Sequence, residues 1–94
     1  MDQSEKITLT PFNFFEWKAE MEILLREKGL YRVTMEIEVD PNAALDKIKW
    51  HKMRDEAYGL LCLSISRDLL FHLAGLTSPN EVWERILEVF GKIY

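Results

Sequence analysis

The sequence predicts an all-α fold, a small bundle of about four helices, and three observations point to it. Apolar residues recur at helical spacing in three long windows. Each of those windows has a start or stop signal, and each places one tryptophan on its apolar face. The single stretch that alternates with period two has no convincing second strand to pair with.

The opening "MDQSEKITLT" is polar and then mildly β-prone without a strong period, so residues 1–11 read as a flexible or loosely docked arm and 12–94 as one helical domain. The first helix is marked by Asn13 as N-cap, Glu16 at the N3 position of a capping box, and Gly29 as the stop. At ~100° per residue, Phe14, Trp17, Met21, Leu24 and Leu25 fall on one core-facing stripe. Phe15, Ala19 and Ile23 fall on a second, narrower strip bordered by Glu16, Glu20 and Glu27. Either another segment of the chain covers that strip or another molecule does, which makes these three residues the candidate assembly face.

"LYRVTMEIEV" sets Val33, Met35, Ile37 and Val39 against Thr34, Glu36 and Glu38, and an extended connector is expected over 31–39. A lone strand there would leave its backbone groups unpaired unless water or a second copy completed them. The next helix has a starting signal at Asp40 before Pro41 and a later one at Asp46. Its core stripe is Trp50, Met53, Ala57, Leu60, Leu61 and Ser64. Ser66 is placed to cap a short helix through "RDLLFHLAG", stopped by Gly75. "SPNEVWERILEVF" then combines Ser78 at N-cap, Pro79 at N1 and Glu81 at N3, with Trp83, Ile86, Leu87 and Phe90 facing inward. Trp17, Trp50 and Trp83 are expected to share one core.

Composition narrows the function classes. The chain has 94 residues, of which 48% are hydrophobic and 30% charged, enough for one domain with a small core whose stability association with other copies would raise. A net charge of -4, with the lysines and arginines of "DKIKWHKMRDE" split into Lys47 with Arg54 and Lys49 with Lys52, does not give the concentrated positive surface that phosphate binding needs. Nucleic acid is therefore not expected as a partner of this domain. The lone Cys62 sits in the apolar run "GLLCLSI" and reads as an inert thiol in a reducing, cytoplasmic setting. No apolar run approaches the ~20 residues of a membrane span.

No nucleotide-binding glycine loop, zinc-protease motif or paired-cysteine motif is present, and His51 and His72 lack neighbours at ligand spacing. The run Glu36, Glu38, Asp40 lacks the glycine and late glutamate of a calcium loop and reads as a solvated acidic edge. Neither Ser64 nor Ser66 has an evident base. No catalytic, cofactor or metal site is expected.

Three blocks together resemble the Gag polyproteins of Copia-type LTR retrotransposons. The first is Phe14, Trp17, Met21, Glu22, Leu25, Gly29 and Leu30. The second is Trp50, Asp55 and Ala57 followed by "LLCLSIS", and the third is Thr77, Ser78, Glu81, Trp83 and Ile86. The blocks stand in order across about residues 12 to 94 and resemble the amino-terminal capsid lobe alone. Two departures stand out: Tyr31 occupies the place of the tryptophan usual after Gly-Leu, and "RVTMEIEV" is more apolar than the usual acidic loop. The resemblance implies a non-enzymatic shell protein of a retrotransposon or a gene derived from one, whose copies associate into RNA-packaging particles. A domesticated adaptor that binds a peptide or partner helix in an interhelical groove is the alternative it leaves open.

Overall fold

Helix ends set the architecture. The computed structural model describes residues 7–37 and 43–92, and the described elements are α1 (Phe14–Glu27), α2 (Tyr31–Thr34), α3 (Ala44–Leu63), a 3₁₀ helix (Arg67–Leu73) and α4 (Pro79–Phe90). Among the described residues there is no strand, so the all-α class holds.

α1 stops as its glycine requires. Gly29 adopts φ 74, its N–H donates to the Arg26 carbonyl at 3.1 Å, and the Leu30 N–H donates to the Leu25 carbonyl at 2.7 Å. This is a Schellman closure, and it brings Leu25 and Leu30 together in the core. Phe14, Trp17, Met21 and Leu25 are buried as expected, while Leu24 is only partly so.

Asn13 does not cap α1 with its side chain. Its Oδ1 instead accepts from the Thr10 N–H, and its Nδ2 donates to the Thr8 carbonyl, both at 2.8 Å. The residue thus organises the segment before the helix, and that segment is no loose arm over the part described. The Leu9 N–H donates to the Ser64 carbonyl at 2.7 Å, the Ser66 N–H donates to the Leu9 carbonyl at 2.9 Å, and the Leu9 side chain is fully buried. Residues 1–6 of the expected arm lie outside the described residues.

The connector expectation is also corrected. Tyr31–Thr34 forms a helical turn, with Val33 and Thr34 both buried, so the alternation fails where it was to separate two faces. The spacing Leu30, Val33, Thr34 is helical, and the Thr34 hydroxyl donates to the Leu30 carbonyl at 2.7 Å. A second Schellman closure ends this turn at Glu36, whose φ of 58 is unusual for a residue with a side chain. Asn80 Nδ2 donates to the Thr34 carbonyl at 3.1 Å and ties α2 to the start of α4. Val39, Glu38, Asp40 and the Asp40-Pro41 start signal fall outside the described residues.

α3 packs on α2 and α4, burying Ala57 and Leu61, with Ser64 buried at its end. Trp50, Met53 and Leu60, expected in the core, are only partly buried against it. A helix of 20 residues is ~30 Å long, more than the shorter helices beneath can cover, so helical phase alone overstates burial at Trp50 and Met53 in its first half. The core is therefore built around two tryptophans. Trp17 of α1 and Trp83 of α4 lie 5.7 Å apart between ring centroids, at an interplanar angle of 30°. Val82, Ile86 and Phe90 complete the buried face of α4, with Leu87 at its margin. Leu9, Val33, Ile65 and Leu73 join this core from outside the long helices.

Ser66 does not cap the 3₁₀ helix; its hydroxyl hydrogen-bonds the Asp68 carboxylate. Gly75, at φ 84, follows that helix. The α4 start matches its signals: Ser78 Oγ accepts from the Glu81 N–H at 3.1 Å, and Glu81 Oε1 accepts from the Thr77 and Ser78 N–H groups at 3.0 and 3.3 Å. A Ser N-cap contributes ~1 kcal/mol. The Thr77 N–H, followed by the Ser78 N–H, holds the Glu81 carboxyl below its ordinary pKa. A folded pKa below the unfolded one gives stabilisation that is complete above the unfolded value and lost as pH falls through the folded one. The melting midpoint should accordingly fall on acidification in that range, and Glu81→Gln should flatten this part of the profile in a pH series of thermal melts. An unchanged slope in the variant would remove the box as its source.

Candidate protein interaction surfaces

The three residues of the expected assembly face are all exposed, Phe15 at 64% and Ile23 at 65%, with Ala19 between them. Among the described residues no segment covers the strip. Phe14 and Phe15 divide the labour of their pair: the two rings meet edge-on at 5.2 Å, one buried and the other turned outward. Phe12 is almost wholly exposed in the turn before α1. Sequence periodicity missed it because it lies outside the helical frame.

Charges frame the strip. Glu16, Glu20 and Glu27 are exposed along one border, and Lys18 pairs with Glu22 at 3.1 Å along the other. Arg26 closes the end, its guanidinium 3.8 Å from the centroid of the Tyr31 ring. The Tyr31 ring is thus an aromatic seat for a cation.

Two further exposed apolar sets escaped the sequence reading. Leu45, Ile48 and Leu63 project from α3, and Phe71 projects from the 3₁₀ helix, where its ring stacks at 4.1 Å on His72. Strong core periodicity elsewhere on α3 concealed the first set. A shallow open groove between the end of α1 and the C-terminal half of α3 is lined by Lys28, Asp55, Glu56, Gly59, Leu60 and Leu63.

Catalytic geometry gets little material here. Cys62 is half-buried, and burial raises its thiol pKa, offset in part by the hydrogen bond with Tyr58, so its thiolate fraction is small. The Cys62 charge, then burial, raise the Tyr58 pKa as well, and the Tyr58 hydroxyl donates to the Leu76 carbonyl at 2.9 Å. Ser64 Oγ is buried and donates to the Leu61 carbonyl at 2.8 Å. Among the described residues no three His, Cys, Asp or Glu side chains converge as metal ligands, and no helix is long and apolar enough to cross a membrane. Lys49 and Lys52 are exposed on α3, whereas Lys47 and Arg54 are half-buried.

The described fold is a small all-α module that turns apolar helix faces outward. The chain matches no protein-family model, no curated protein and no solved structure.

Proposed function

We propose that the chain is a structural, self-associating capsid lobe of the Copia-type Gag kind, from a retrotransposon or a gene derived from one, contributing protein–protein contacts to an RNA-packaging particle in the cytoplasm. The observation that supports this reading is the outward strip of Phe15, Ala19 and Ile23. Removing a large apolar side chain from water is worth ~1.5–3 kcal/mol, and here that gain is available only through a contact outside the described chain. The three sequence blocks give the resemblance that names the lobe. Acidic composition and a divided set of basic residues leave RNA binding to other regions of such a polyprotein.

The test separates assembly from folding. A charge on a solvated helix position costs little, whereas the same charge in a desolvated contact costs several kcal/mol. Ile23→Glu, alone and with Phe15→Ser, should reduce self-association in sedimentation while the melting midpoint stays within a few degrees of the parent. An unaltered oligomer removes the strip from the interface. A parent chain that is monomeric near millimolar concentration, yet binds an amphipathic helical peptide, supports the adaptor reading in its place.

A further inference from the structure

The exposed face of α3 has a feature that the α1 strip lacks: it is complementary to itself. Leu45 and Leu63 are 81% and 88% exposed at opposite ends of the helix, and Ile48, Lys52, Asp55, Glu56 and Gly59 lie between them within ~100° of the same face. Ala57 and Leu61 occupy the opposite, buried side.

The basic residue of this face precedes its midpoint and the acidic ones follow it. When two α3 helices are laid antiparallel about a two-fold axis near residue 54, Lys52 of one copy meets Asp55 and Glu56 of the other. Ile48 meets the backbone at Gly59, and Leu45 meets Leu63. Every contact occurs twice, as an isologous interface demands.

Gly59 supplies an independent reason. A glycine inside a helix costs ~0.5–1 kcal/mol relative to alanine, and no contact among the described residues requires it, because a Cβ built there has no neighbour within 4 Å. Close approach of a second backbone or a β-branched side chain explains the vacancy. Lined also by Asp55, Glu56 and Leu63, the groove at Gly59 is the notch that Ile48 of a second copy would enter.

We infer that α3 pairs two copies of this chain, antiparallel, through Leu45, Ile48, Lys52, Asp55, Glu56, Gly59 and Leu63. The inference deepens the self-association reading but uses a different helix. The face is ~27 Å long and one helix wide, short of the ~800 Å² per partner of a standard interface, so the isolated pair is weak.

Sedimentation equilibrium up to about 1 mM tests it in the Phe15→Ser/Ile23→Glu chain, where the α1 strip is silenced. A dimer is expected. Lys52→Glu in one sample and Asp55→Lys/Glu56→Lys in another should each weaken it by about tenfold or more, and mixing the two should restore dimers, because opposite charges then face across the axis. Like charges within each helix persist in the mixture, so restoration cannot come from intrahelical pairing. Dimers that ignore these charges, or no recovery on mixing, overturn the inference. Monomers in this background alongside a self-associating parent overturn it too, and leave the α1 reading standing. Charge-sensitive dimers with a parent no larger than a dimer sustain it and sink the α1 reading; monomers throughout sink both.

Discussion

Trp17→Ala should lower the unfolding free energy by roughly 3–5 kcal/mol, and Trp83→Ala by a similar amount, a large share of the 5–15 kcal/mol typical of a domain. The two rings are buried against each other across α1 and α4, so truncating either leaves a cavity bounded by its partner. Trp50→Ala should cost clearly less, because its ring lies at the core margin. Trp17 adds a finer test. Its indole Nε1 is buried without a hydrogen-bond partner among the described residues, and an unmet buried donor costs ~1–3 kcal/mol. Trp17→Phe removes that donor together with some volume and should be far milder than the alanine change. Urea denaturation of all four variants gives the order directly; equal midpoints for Trp17→Ala and Trp50→Ala would refute the two-tryptophan core.

Leu9→Ala should cost ~2–5 kcal/mol, a size expected of a central core residue and not of a terminal arm. Leu9 is wholly enclosed, and the backbone bonds around Ser64 and Ser66 fix its depth. Thr8→Ala, at an exposed neighbouring position, is the control and should move the midpoint little. Similar denaturation curves for Leu9→Ala and the parent would show that the segment does not dock in solution.

Periodicity made α1 and α4 legible, because both are amphipathic and short enough to be covered along their length: Phe14, Trp17, Met21, Trp83, Ile86 and Phe90 are buried where their phase puts them. The same argument overreached on α3. Phase gives a direction around a helix axis and carries no information on how far neighbouring helices reach along it, so Trp50 and Met53 ended at the margin. α2 was misread because four residues are too few to display a period, and the alternation of Val33, Met35 and Ile37 was the stronger pattern in view. Leu9 gave only a faint signal: the alternation of Ile7, Thr8, Leu9 and Thr10 is too short to set a period, and its burial is decided by the backbone of Ser64 and Ser66, more than fifty positions away. On the surfaces, the second strip of α1 was legible from its spacing. The α3 face was not, since its residues are as much charged as apolar.

The docking of Leu9 beside Ile65 also bears on the order in which the molecule assembles. Bringing these two positions together directly from the unfolded chain closes a loop whose entropy costs roughly 3–4 kcal/mol, and two backbone bonds do not repay it. Once α1 has met α4, only the short stretch from Leu9 to Phe14 remains to be ordered, and the cost becomes small. The segment is then the last part to settle and the first to leave. Its departure would expose Ile65 while the hydrogen bonds within the helices stayed closed, which would set this opening apart from global unfolding.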